Sequence, residues 1–263
     1  MPEGHTVHRT AGEFRKKFQG SEVSVTSPQG RFTDSVLIDQ TKLLSASAWG
    51  KQLFLEFEAA TLRIHLGIYG KWRFESRAGE LPEPRGQVRA RFSNAEFFAD
   101  LRGPTACELV DQAQLEAVKS KLGPDPLRSD PRGEELERFV ARVAKSSSPI
   151  GQLLMNQSVL AGVGNVYRAE LLFRAGINPH RPGKNLTREQ IAGIWFDAVA
   201  LMPLGVKTGL MLTREGFLKG RPKKDVRYYV YKREGLPCRE CGSGVVIELM
   251  ATRKLYYCAQ CQK

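Results

Sequence analysis

The sequence predicts an α+β chain in several parts, and three observations predict it. Apolar residues near the start recur at helical spacing. Short runs rich in β-branched and aromatic residues then occupy the stretch up to about Val110. After a proline-rich break the helical period returns, and a tail with paired cysteines ends the chain. At 263 residues and 41% hydrophobic, the chain can bury a substantial core as one large or two ordinary domains.

Each part has its own signature. Val7, Ala11, Phe14 and Phe18 mark one face of a leading helix, and Gly20 stops it. From Ser21 to about Val110, runs such as "EVSVTS", "QLFLEFE", "TLRIHL" and "RARFS" are separated by Gly and Pro, which predicts an antiparallel sandwich or barrel. "KLGPDPLRSDP" places three prolines in eleven residues and reads as a linker. Helical periodicity follows in "GEELERFVARVAKS", "IGQLLMNQ", "GNVYRAELLFRAGI" and "TREQIAGIWFDAVALM". The expected boundaries are a helix-plus-sandwich domain over 1–120, a linker over 121–132, a helical domain over 133–224 and a cysteine-bearing finger over 225–263.

Four of the five cysteines form two pairs, Cys238/Cys241 and Cys258/Cys261, separated by sixteen residues. Each pair fits a tight turn, and a hairpin between them would bring the pairs together. This is the ligand arithmetic of one structural zinc ion, whose four thiolates close the coordination sphere. Two disulfides or a redox pair are the competing readings, and both suit an intracellular chain and a doubled spacing poorly. Cys107, alone in "PTACELV", fits a small buried hydrophobe better than a reactive thiol.

Charge narrows the partner. Lys and Arg number 40 against 28 Asp and Glu, a formal net charge of +12, which favours a polyanion: nucleic acid first, an anionic membrane second. No uninterrupted apolar stretch approaches the ~20 residues that span a bilayer. The N-terminus lacks the apolar core of a secretory signal. The expectation is a soluble, cytoplasmic monomer with no membrane partner, nucleoid-associated in a bacterium. In "IGQLLMNQSVLAGVGNVYRAELLFRAGINP" a helix ends near Gln157, a glycine turn follows, and a second helix starts near Asn165. Glycines allow close backbone approach and helix N-termini point N–H groups outward, which suits a DNA phosphate; a plain helical hairpin is the alternative.

Taken in order, "MPEG", "LGPDPL", "LAGVGNVYRAELLF" and "TRKLYYCAQCQ" make the chain resemble the formamidopyrimidine-DNA glycosylase / endonuclease VIII family over nearly its full length. "GVGNVYRAELLF" looks closer to the endonuclease VIII branch, which takes oxidised pyrimidines, than to the 8-oxoguanine branch. The resemblance implies a helix-led β-sandwich, a helix–two-turn–helix domain and a β-hairpin zinc finger. It implies a bifunctional base-excision-repair enzyme that removes a damaged base and then cuts the strand.

The family pattern also assigns residues. Pro2 becomes the nucleophile, which requires that Met1 be removed, as it commonly is before a small residue. An α-amino group titrates near ~7.8 and a Lys near ~10.4, so the former is more often unprotonated at neutral pH, although a secondary amine narrows the gap. Its attack on sugar C1′ gives a cationic iminium, an electron sink for elimination. Glu3 becomes the general acid/base. The competing reading is a proline at a first helical turn with Glu complementing the dipole. Lys51 matches a lysine that reaches the lesion's phosphate or sugar, Asn165 an asparagine that opens the second helix and contacts phosphate, and Arg253 a fingertip arginine gripping phosphates. A solvated lysine, a helix cap and a solvated hairpin arginine are their ordinary alternatives. His65 either touches phosphate or is structural.

One position departs from the pattern. Three consecutive side chains after that histidine insert into the duplex in the endonuclease VIII branch, and here they are Gly67, Ile68 and Tyr69. Ile68 and Tyr69 can act as wedges, but Gly67 has nothing to insert. Damaged DNA, double- or single-stranded, is therefore the expected partner. Three readings follow: excision of oxidised pyrimidines, the same chemistry with an oxidised-purine or abasic-site preference, or a non-catalytic zinc-bearing DNA-binding protein. Glu3 and Lys51 argue against the last, since phosphate binding alone does not require that pair.

Overall fold

The computed structural model describes residues 2–77 and 79–263, so Met1, whose removal is expected if Pro2 is to act as a nucleophile, lies outside the described residues. The chain forms two compact units, Met1–Ser120 and Lys121–Lys263. The architecture is the α+β one expected: a leading helix, an antiparallel sheet, a helical part and a β-hairpin carrying the four cysteines.

In the first unit, helix α1 (Gly4–Lys17) precedes strands β1 (Glu22–Thr26), β2 (Thr41–Trp49), β3 (Gln52–Phe57) and β4 (Thr61–His65). Strands β5 (Lys71–Ser76), β6 (Ala90–Ser93), β7 (Phe97–Arg102) and β8 (Ala106–Val110) complete the sheet. Their order is β5-β7-β6-β1-β2-β3-β4-β8, and the pairings are antiparallel. Strand β1 gives Glu22 and Val23 to β2, then Ser24 to Thr26 to β6, and is thus the strand at which one layer turns into the other. Alternation along β4 buries Leu62 and Ile64 against Phe92, Ala99 and Leu101 from the opposite half, which makes one sandwich core. The apolar face of α1 closes it: the ring of Phe14 meets Trp72, Phe74 and Phe92 edge-on at 5.0, 5.3 and 5.5 Å.

Helix α2 (Gln112–Ser120) follows β8 and has no counterpart in the sequence reading. Asp111 and Gln114 cap it reciprocally: the Gln114 N–H donates to Asp111 Oδ1 at 2.8 Å and the Asp111 N–H to Gln114 Oε1 at 3.0 Å.

In the second unit, α3 (Glu134–Ala144), α4 (Ile150–Leu153), α5 (Asn165–Arg174) and α6 (Arg188–Thr208) share a core that includes Phe139, Leu154, Leu171, Ile194 and Trp195. Residues 122–126 of the proline-rich stretch are buried here, with the Gly123 N–H on Gln157 O and the Ala161 N–H on Pro124 O, each at 2.8 Å. Helix α4 stops at Leu153, earlier than the expected Gln157. Asn156 is the reason: its Oδ1 takes the backbone N–H and the hydroxyl of Ser158, both at 2.9 Å, and so offers the chain a turn in place of another helical step. Helix α6 is long and apolar enough to cross a membrane by length and composition, but Ile191, Ile194, Trp195, Ala198, Leu201 and Met202 lie in the core, and Asp197 pairs with Arg174. Strands β9 (Val246–Met250) and β10 (Arg253–Tyr257) form the finger hairpin.

Candidate functional site

The start of α1 shapes the first half of the site. Glu3 is the N-cap residue, with extended backbone at φ −122° and ψ 179°, and its carbonyl accepts the Thr6 N–H at 2.9 Å. Its side chain is fully buried and makes no capping hydrogen bond. Pro2 is half-buried and lines a cleft of about 450 Å³ together with Thr6, Arg9, Ile68, Trp72 and Phe74. The nucleophile candidate and one wedge candidate therefore share a cleft. His5, which the sequence reading passed over, is also buried here. Burial first, then the N-terminal ammonium, then His8, lower its imidazole to about 4. It is neutral at neutral pH.

The sheet brings the next candidates together. Trp49 pairs with Gln52, leaving Gly50 and Lys51 as a two-residue hairpin loop between β2 and β3. Gly50 has φ +58°, the left-handed geometry that the first position of such a loop demands. Gln52 in turn pairs with His65 at the end of β4, so Lys51 and His65 meet at one end of the sheet. The His65 imidazole is held below its ordinary value by burial, then by the charges of Arg63 and Lys51. The chain after His65 turns tightly, with the Gly70 N–H on Leu66 O at 2.9 Å. Ile68 and Tyr69 stand out from that turn, 53% and 83% exposed, as side chains that enter a partner must. Gly67 has φ +63°, and a Cβ there would lie 1.9 Å from Thr105 Oγ1. Cys107 packs against the sandwich core, and burial pushes its thiol up to about 12, which disfavours the thiolate at neutral pH.

In the second unit the four finger cysteines converge, with all their Sγ atoms within 4.8 Å of one another. Cys238 and Cys261 are 3.8 Å apart, Cys241 and Cys258 3.5 Å. A tetrahedral ion with metal–sulfur bonds of about 2.3 Å needs sulfurs roughly 3.8 Å apart, so the donor set fits a metal ion. Both pairs sit on tight turns: the Gly242 N–H donates to Cys238 O, and the Gln262 N–H to Cys258 O, each at 3.0 Å.

The finger is seated on α5. Asn165 opens that helix but does not cap it; its amide donates to Lys254 O at 2.8 Å and accepts from Arg168, which itself donates to Lys254 O at 2.9 Å. Arg253, exposed, precedes that anchored carbonyl at the first position of β10. The two fingertip residues between β9 and β10, Ala251 and Thr252, both have positive φ (48° and 66°), a strained choice for a β-branched residue. Glu170, a second residue the sequence reading missed, is fully buried one turn further along α5. Burial raises its pKa, while hydrogen bonds from the backbone N–H groups of Tyr229, Tyr231 and Val230 and from the Thr213 hydroxyl oppose this. It ties the chain leading into the finger to α5. Only its place within the apolar run "AELLF" signalled a buried partner.

This arrangement has relatives. Residues 1–107 match the family model for the formamidopyrimidine-DNA glycosylase N-terminal domain, and residues 122–215 that for the formamidopyrimidine-DNA glycosylase H2TH domain. Endonuclease 8 1 of Mycobacterium tuberculosis is 45% identical, with 100% of both chains covered. The formamidopyrimidine-DNA glycosylase of Salmonella arizonae is 33% identical over 86% of this chain and 84% of its own. Among solved structures, Lactococcus lactis Fpg in complex with DNA containing an abasic site shares the fold at TM-score 0.81 and 23% identity, covering 99% of each chain. MutM (Fpg) from Thermus thermophilus gives 0.75 and 27%, covering 99% of this chain and 98% of that one. The protein is thus a DNA glycosylase by class, and the chain belongs to the formamidopyrimidine-DNA glycosylase / endonuclease VIII family.

Proposed function

We propose that the chain is a bifunctional DNA glycosylase and abasic-site lyase that excises oxidised pyrimidines through its N-terminal proline. The observation that carries this reading is the opening of Pro2 onto a cleft, next to the fully buried Glu3 carboxyl. Once Met1 is removed, the Pro2 nitrogen attacks sugar C1′ and displaces the base, which leaves with its bonding electrons and a proton. The iminium that forms withdraws electrons from C2′, so loss of a C2′ proton expels the 3′ phosphate. Glu3 protonates the ring oxygen as the sugar opens and shuttles protons afterwards. Lys51 meets the lesion's phosphate or sugar, with His65 beside it.

The +12 charge supplies affinity for the DNA backbone, and Arg253 grips the phosphates flanking the lesion. The finger's metal is a single structural zinc held by Cys238, Cys241, Cys258 and Cys261. The 45% identity to an endonuclease 8 over the whole chain favours the pyrimidine branch. In a bacterium such an enzyme works as a cytoplasmic, nucleoid-associated monomer.

Borohydride trapping on duplexes bearing an oxidised pyrimidine, 8-oxoguanine or a preformed abasic site tests the reading. The expected adduct maps to Pro2, and a chain with a blocked N-terminus gives none. Glu3→Gln should lower base excision more than cleavage of the preformed abasic site, where the base has already gone. An adduct on Lys51, or full trapping by the blocked chain, overturns the mechanism. Faster release of 8-oxoguanine than of the pyrimidine overturns the branch.

A further inference from the structure

We propose that the end of the sandwich away from Lys51 and His65 is a docking groove for a second protein, and that its occupant is an extended basic segment bearing apolar side chains. The antiparallel ladder fixes where this end lies. Gln52 pairs with His65 at one end of β3 and β4, and Glu56 pairs with Thr61 at the other. Thr61 pairs in turn with Val110 at the end of β8. The four residue steps from Gln52 to Glu56 span about 13 Å at the usual rise of a strand. That exceeds the ~8 Å over which exposed charges act at physiological salt, so the groove's charge is felt apart from that of Lys51.

The groove encloses about 410 Å³. Its apolar lining comes from three places: Leu37 from the short 3-10 helix Thr33–Leu37, Ala59 and Ala60 from the turn between β3 and β4, and Leu109 from β8. The 3-10 helix is anchored so that its aliphatic residues face outward. Ser35 and Ile38 are buried, the Ile38 N–H donates to Ser35 O at 3.1 Å, and the Thr41 hydroxyl donates to Ile38 O at 2.9 Å. Val36 and Leu37 between them are left 73% and 61% exposed. Adjoining aliphatic side chains held in water beside an apolar hollow mark a contact surface.

Charge selects the occupant. Glu56, Glu58 and Asp111 line the groove, and among the described residues no Lys or Arg does. Lys42 lies on the adjoining strand β2, where its backbone N–H donates to Glu58 Oε2 at 3.3 Å. In a chain of net charge +12 the groove is a local reversal of sign. It repels a DNA phosphate and attracts Lys or Arg, while the apolar floor takes aliphatic side chains. The positive charge of the rest of the chain repels a basic segment, so the groove is where such a segment finds favourable contacts.

The test uses the full zinc-loaded chain and a short fluorescein-labelled peptide of alternating Leu and Lys. One control peptide replaces Leu by Ser, and a second replaces Lys by Glu. Fluorescence anisotropy should show binding of the Leu/Lys peptide and roughly ten-fold or greater weakening for each control, the size of one buried aliphatic side chain. Val36→Ser/Leu37→Ser and Glu56→Lys/Glu58→Lys chains should lose affinity for the Leu/Lys peptide by a similar factor. The Val36→Ser/Leu37→Ser chain should still act on damaged duplex at the parent's rate, since its changes lie away from Pro2 and Glu3. Peptide binding is read without DNA, so it stands or falls apart from the excision chemistry. No binding by the parent, or equal affinity for parent and both variants, overturns the proposal. Loss of duplex binding by a folded Val36→Ser/Leu37→Ser chain gives the groove to DNA instead. A parent dimer in sedimentation that either variant abolishes gives it to a second copy of this chain.

Discussion

His5 carries a pH consequence at the scale of one residue. Its imidazole is lowered to about 4 in the folded chain, against an ordinary value near 6.5. Between those values the unfolded chain binds the proton and the folded one does not, so stability falls as pH drops. The contribution is complete above pH 6.5 and lost toward pH 4. The shift corresponds to about 3 kcal/mol at most. His5→Gln, which cannot titrate, should flatten the acid limb relative to the parent between pH 7 and pH 4.5, as read by urea midpoints. Parallel limbs would mean that His5 is not the group responsible. The first four letters alone fit a helix start equally well, and only the family resemblance of the whole chain singles out Pro2 and Glu3. His5 was not, since a histidine one residue into a helix reveals neither its burial nor the charges around it.

At the scale of elements, the finger and α5 are joined through one carbonyl. Lys254 O takes hydrogen bonds from both Asn165 and Arg168, which fixes the strand that begins with Arg253. Arg253→Ala should weaken binding to all sequences alike, because phosphates carry no base identity. The slope of log affinity against log salt should become shallower by about one unit. Asn165→Ala should act in the same direction by loosening the anchored carbonyl. An unchanged slope with altered lesion choice would show that both residues face the base instead. The spacing "CxxC" made the metal cluster readable, and the start of α5 at Asn165 was found where expected. The direction of the Asn165 amide was hidden, because its partner lies 89 residues away in the chain. Helix α2 was readable in principle: "DQAQ" is a capping box with Asp in the capping position, but its brevity and its place after a strand concealed it.

At the scale of the whole molecule, the chain has two units with separate cores, and the four-cysteine cluster belongs to the second of them. Cys238 and Cys258 share an apolar cluster with Ala169 and Phe173 of α5, with Tyr229 stacked on Phe173 at 4.8 Å. A structural zinc in an isolated finger contributes on the order of 10 kcal/mol, comparable to the entire stability of a domain. Its loss should therefore unfold the finger and loosen α5, while the sandwich, whose core contains none of these residues, keeps its protection. Native protein should hold one zinc per chain, and Cys258→Ser should hold almost none. Hydrogen exchange should then show lost protection across β9, β10 and α5 with β2, β3 and β4 unchanged. DNA incision should fall sharply because Arg253 has lost its mount, although Pro2 and Glu3 remain folded. A native protein with no metal would remove the zinc assignment. Equal loss of protection in both units would mean that their cores do not stand alone.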